Sequence, residues 1–275
     1  MLREYGDLRI AIEDGVATIG MLPSGDAQYK RMRETEGKVK KFFPKHKEVG
    51  EAIEELRGDN DVRVIILTGL GDMFFIPPSS GPGIQAHDPG EDWDLTQGLA
   101  RTFNAIIECE KPIVARVNGA AMAFGSSLVF ACDFVVADED AMIADYHLGM
   151  GELPFGRADF GVVPGDGGSV FVPMQMTLAH ARDFLLLARP FTGRELADLG
   201  YIHRAVPKDQ LDAAVKELCD RLLKRTPYAL AWSKRVLNRR IAQQFALTFD
   251  AAWAYEMVNF YMEHAARSER GKTRL

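Results

Sequence analysis

Two short stretches constrain this chain most: VRVIILTG at residues 62–69 and PIVARVNG at residues 112–119. Each is a nearly unbroken apolar run rich in β-branched side chains, and each stops at glycine. Runs this short and this apolar read as strands buried on both faces. Helical patterns lie before and between them. FFPKHKEVGEAIEELRGD (42–59) puts Val49, Ile53 and Leu56 on one face, and DLTQGLARTFNAIIECE (94–110) repeats the spacing. AMAFGSSLVFACD (121–133) reads as a helix of small residues, and FVVADEDAMIAD (134–145) returns to strand character. Strand and helix therefore alternate to about residue 205, which predicts an α/β fold with a largely parallel sheet.

The two ends differ from this core. LRIAIEDGVATIGML (8–22) alternates around Asp14-Gly15 and predicts a β-hairpin. From Lys208 onward every long pattern is helical. We expect a core over 1–205 and a helical region over 206–275, with the tail RSERGKTRL frayed. Phe249, Trp253, Tyr255, Phe260 and Tyr261 crowd that region. They either pack into the core, fold over a site or meet another subunit.

With 275 residues, 47% of them hydrophobic, the chain can bury a large core. A net charge of −6 argues against a nucleic-acid surface. The three cysteines form no CxxC pair, so each reads as a buried thiol rather than a zinc or disulfide residue. No histidine or carboxylate cluster has metal-ligand spacing, so no metal is expected. MLREYGDLRI carries no apolar signal core, and no run is long enough to span a membrane. A cytoplasmic protein with no membrane partner is the expectation.

GVVPGDGGS (161–169) holds one charge, Asp166, in a turn of glycines. The carboxylate either caps a helix starting near Ser169 or does chemistry.

Three motifs in fixed order carry a resemblance. They are KPIVARVNGAAMAFGSSLVFACDFVVADEDA, FGVVPGDGGSVFVP and ARDFLLLARPFTGRELADLGYIHRAVP, preceded by ILTGLGDMFF. Together they resemble the crotonase, or enoyl-CoA hydratase/isomerase, superfamily. The resemblance implies a crotonase-like ββα spiral with a C-terminal helical segment, assembled as a homotrimer or dimer of trimers. It also implies an oxyanion hole for an enolate, formed by the amides of Ile76 and Phe124, with Gly125 behind them. The hydratases of that superfamily use two glutamates. Ser127 and Arg157 stand at those positions here, so hydration by two carboxylates is not expected. The usual nucleotide-facing loop is replaced by FFIPPSSGPG (74–83), in which Pro77 and Pro78 lack an N–H.

One branch of the superfamily, the β-diketone hydrolases of the 6-oxocamphor hydrolase type, shows the same losses. The resemblance to it implies catalytic roles for Asp166, His46, His147 and Glu256. It implies substrate contacts from Trp93, in PGEDWD, from Arg157 and from Gly125. His147 fits only if residues are inserted after it. No cofactor is expected on this reading. The substrate is a small carbonyl compound, cleaved hydrolytically between two carbonyls. Two alternatives stay open. One is an acyl-CoA hydratase or isomerase using Asp166 or Glu152, with coenzyme A as part of the substrate. The other is a non-catalytic assembly protein of this fold. Each residue also has a plainer reading: His46 on an exposed helix face, His147 in a loop beside a structural Asp145, Glu256 at an interface, and Arg157 paired with Asp159.

Overall fold

The structure is a computed structural model that describes residues 2–23, 45–77, 89–148 and 161–273. Strands β1 (Leu2–Tyr5), β2 (Leu8–Glu13) and β3 (Val16–Met21) open the chain. Asp14 and Gly15 make the β2–β3 turn with φ of 47° and 81°, the left-handed pair a two-residue hairpin needs. Helix α1 (Lys45–Gly58) leads to β4 (Val64–Gly69), α2 (Pro89–Glu108) to β5 (Ile113–Val117), and β6 (Ala121–Met122) to α3 (Phe124–Ala131). Next come β7 (Phe134–Asp138), β8 (Met142–Ala144), α4 (Gly168–Gln175), α5 (Leu178–Leu186), β9 (Phe191–Thr192), α6 (Gly193–Asp198) and β10 (Arg204–Val206). Two helices close the chain, α7 (Leu211–Leu223) and α8 (Pro227–Thr273).

The main sheet has seven strands in the order β1-β2-β3-β4-β5-β7-β10, parallel from β3 onward. A smaller sheet, β6-β8-β9, lies along its carboxyl side, extended by a bridge between Phe75 and Ala121. Each turn of the spiral thus gives one strand to the main sheet, a short second strand and a helix. The buried runs behave as their composition requires. Ile65 and Leu67 of β4 face the main core, and Val64 faces a second apolar layer covered by α7. The helices after residue 206 share these cores: Phe245, Phe249 and Trp253 of α8 lie in the first, Leu211 and Val215 of α7 in the second.

Four expectations need correction. Residues 121–133 are not one helix, because Ala121 and Met122 pair with β8 before the chain turns. The strand predicted over 134–145 breaks into β7 and β8 around a turn at Glu139–Asp140. An extra strand, β1, adds to the hairpin's outer edge. The tail does not fray at Arg267, since the backbone stays helical to Thr273. The cysteine reading holds: Cys109, Cys132 and Cys219 are buried and unpaired. Among the described residues no helix is long and apolar enough to cross a membrane.

Candidate active site

The turn that carries Asp166 sits where three parts of the chain converge. Before it, His147 follows β8; behind it, α3 presents Ser127; across from it, α8 presents Glu256. Asp166 does not cap α4. That helix has Gly167 at its N-cap and no side-chain capping bond. The carboxylate turns inward instead. Its Oδ1 accepts from Ser127 Oγ at 3.1 Å, and its Oδ2 lies 3.4 Å from His147 Nε2. Glu256 accepts from the Gly165 amide at 2.8 Å with one oxygen and points the other at His147 Nε2, 3.9 Å away. On the far side of the ring, Nδ1 lies 2.7 Å from Asp145 Oδ1. Asp145, His147, Asp166, Ser127 and Glu256 are all buried.

His46 is buried too, so the exposed-face reading does not hold. Its ring packs 4.1 Å from the Phe124 ring, with Phe75 edge-on at 6.4 Å. Thr102 Oγ1 donates to the His46 carbonyl at 2.6 Å and ties the start of α1 to α2.

Burial and charge set the protonation of the set. Burial opposes a charge on His147, but Asp145 and Asp166 outweigh it and hold the imidazole well above its ordinary value. Burial would raise Asp166. His147, with help from His46 and the Ser127 hydroxyl, holds it below the usual carboxylate range instead. Glu256 is pushed up to about 8 by burial, against the pull of His147, with Asp166 adding to the rise. These directions favour a protonated imidazole held by Asp145 and Asp166, beside a Glu256 carboxyl that keeps its proton to about pH 8.

Beside this set, the chain at Phe75 and the start of α3 are held together. Met122 donates to the Phe75 carbonyl at 2.8 Å, and Ala123 to the Ala144 carbonyl at 3.1 Å. Ala123 takes φ 50° and ψ −121°, a conformation that costs a non-glycine residue about 1–3 kcal/mol. Phe124 is the first helical residue, so its N–H has no partner inside the helix. Ile76 follows the bridged Phe75, and its N–H donates to no described residue. Gly125 lets the two segments meet: a Cβ there would lie 2.9 Å from the Phe75 carbonyl oxygen and 2.8 Å from its Cβ. On the expectation that the Ile76 and Phe124 amides act together, Gly125→Ala is expected to lower turnover about a hundredfold while circular dichroism stays unchanged, because a Cβ there pushes the Phe75 segment and the α3 terminus apart by about 1 Å.

Other expected residues stand apart. Trp93 is 64% exposed on the first turns of α2 and is not part of the buried set, since the inward face of that helix belongs to Leu99 and Phe103. Arg157, Asp159, Glu152 and Pro78 fall outside the described residues. The insertion expected after His147 has its ends fixed: Val162 N–H donates to the His147 carbonyl at 2.7 Å, so the two ends meet. Asp145, which the sequence presents only as a structural neighbour, is a full member of the buried set. Sequence spacing also shows no metal cluster, whereas the fold brings ligand atoms of Asp145, His147 and Asp166 within 4.8 Å of one another. The 2.7 Å contact between Asp145 and His147 is a hydrogen bond and leaves no room for an ion between those atoms.

The sequence profile of the enoyl-CoA hydratase/isomerase family matches residues 45–271. The chain belongs to this family. Within it, the carnitinyl-CoA dehydratase of Salmonella heidelberg (strain SL476) is 32% identical over 190 residues, 68% of each chain. The fold of this family member is that of an enoyl-CoA hydratase/isomerase from Mycobacterium paratuberculosis, with a TM-score of 0.76 at 21% identity over 93% and 94% of the two chains. It is equally that of a β-diketone hydrolase from the cyanobacterium Anabaena sp. PCC 7120, solved with (S)-3-oxocyclohexyl acetic acid, with a TM-score of 0.75 at 22% identity over 93% and 94%.

Proposed function

We propose that this family member is a hydrolase that needs no cofactor and cleaves the carbon–carbon bond between the two carbonyls of a β-diketone. The observation that carries the reading is the buried set His147, Asp166 and Glu256, tied through Ser127 to α3, the helix that begins at Phe124. Ser127 supports Asp166 here rather than acting as a carboxylate.

Water adds its hydroxyl to one carbonyl carbon. The bond from that carbon to the α-carbon then breaks, and its electron pair passes to the second carbonyl as an enolate. The amides of Ile76 and Phe124 hold the enolate oxygen, at a helix N-terminus that favours developing negative charge. His46, stacked on Phe124, donates to one of the two carbonyl oxygens. The proton lost by water passes to the Asp166 carboxylate, the member of the set left without a proton, and returns from it to the α-carbon. The products are a carboxylic acid and a ketone.

The carnitinyl-CoA dehydratase relative favours a second reading, a hydratase or isomerase acting on an acyl-CoA thioester. The same amides would hold a thioester enolate, and coenzyme A would belong to the substrate. In either case exposed Trp232, Val236, Leu237, Leu247 and Val258 on α8 support assembly with further copies of the chain, as a trimer or dimer of trimers. The purified protein is incubated separately with a cyclic β-diketone and with crotonyl-CoA, and ultraviolet absorbance is followed. Loss of the diketone with crotonyl-CoA untouched is expected. Hydration of crotonyl-CoA without diketone loss overturns the first reading in favour of the second.

A further inference from the structure

We infer that Asp145 is a positioning residue for His147, fixing the proton on Nδ1 and aiming Nε2 at the reacting groups; this rests on the proposed role of His147. The local sequence Asp145-Tyr146-His147 makes the clamp possible. One oxygen, Asp145 Oδ1, accepts from the His147 backbone amide at 3.1 Å and contacts the ring Nδ1 at 2.7 Å. An aspartate two residues ahead of a backbone N–H closes a compact turn of this kind. The Tyr146 ring lies nearly parallel to the imidazole, at 14° with the ring centroids 6.2 Å apart.

A turn alone does not explain a carboxylate here. Asparagine would accept both bonds through its carbonyl oxygen without burying a charge. Asp145 is fully buried, and its second oxygen, Oδ2, makes no hydrogen bond among the described residues. Such a group weakens a fold unless it serves another end. The fold also makes room for it. Oδ2 lies against Gly168, where a Cβ would come within 2.5 Å of it. The second of the paired glycines in GVVPGDGGS therefore vacates the space that the Asp145 carboxylate occupies.

What the charge gives is a cation at His147. The groups facing this ring are Asp145 after β8, Asp166 in the turn before α4, Glu256 on α8 and Tyr146 beside it, with His46 of α1 acting on Asp166. Asp166 and Glu256 lie on the Nε2 side, where substrate chemistry changes the charge. Among the described residues only Asp145 sits on Nδ1, on the side away from that chemistry. It sets the basicity of Nε2 through the ring while staying out of the reaction.

The test reads the resting protein and does not depend on the substrate. In ¹⁵N-histidine spectra, His147, assigned by its loss in His147→Gln, is expected to keep a protonated Nδ1 and to titrate well above an ordinary histidine. Asp145→Asn is expected to lower its proton affinity at least tenfold with the fold retained. Gly168→Ala, which removes no polar atom, is expected to shift it the same way by displacing the carboxylate. If the diketone is turned over, the pH profile of kcat moves with the titration while KM changes little. A wild-type His147 that is neutral at pH 7, or that carries its proton on Nε2 alone, overturns the inference. So does an unchanged titration in either folded variant. Failure of diketone turnover alone counts against the proposed function and leaves this readout intact.

Discussion

Asp166→Asn is expected to lower turnover of a cyclic β-diketone by about 10³-fold, within the usual range for losing a positioned proton-transfer group. Asparagine keeps the shape and the acceptor that Ser127 Oγ uses at 3.1 Å. It removes the negative charge 3.4 Å from His147 Nε2, and with it the partner that holds the proton on that side of the ring. The loss is expected mainly in kcat, with KM changed little. Loss in KM alone, with kcat intact, would mean that Asp166 only shapes the pocket.

Lys234→Met is expected to destabilise the fold by about 3–5 kcal/mol, the range for breaking a buried ion pair by removing one partner. Lys234 Nζ lies 2.6 Å from Asp133 Oδ2 and donates to the Lys111 carbonyl at 2.9 Å, which docks α8 on the end of β5. The Lys234 side chain is buried. Asp133 also accepts from the Ile113 amide at 2.7 Å. Burial pushes this carboxyl above its ordinary value even against the pull of Lys234, so losing the cation leaves a charge with little solvent to carry it. Adding Asp133→Asn is expected to return part of the loss, because the orphaned charge goes with it. Urea unfolding at one matched protein concentration measures both. A Lys234→Met variant as stable as the parent would show that α8 is held by its apolar face alone.

Much of the fold is legible in the chain because its strands are buried on both faces. VRVIILTG and PIVARVNG have no other stable fate, and β4 and β5 fall where they do. The small second sheet is not legible. Strand β6 has two residues, and it exists through pairing with β8 and a bridge to Phe75, both distant in the chain. The kink at Ala123 carries no signal either, since an alanine at positive φ is chosen by its neighbours and not by its own preference. At the site, Asp166, His46, His147 and Glu256 are readable as chemical types, and the fold buries all four. Asp145 is not, because its importance lies in a pair of bonds to a residue two places on and in the space left by Gly168. GVVPGDGGS nonetheless carries a usable signal for it: the extra glycine beside the one that turns the chain makes room for something charged.

One measurement tests the central claim most directly. The protein is allowed to consume a cyclic β-diketone in water enriched with ¹⁸O, and the product is examined by mass spectrometry and by its α-hydrogen content in D₂O. With a diketone that bears no hydrogen on the carbon between its carbonyls, hydrolytic cleavage places one heavy oxygen in a new carboxylate and one deuterium on that former bridging carbon. Recovery of the diketone unchanged, under conditions in which crotonyl-CoA gains water across its double bond, contradicts the account.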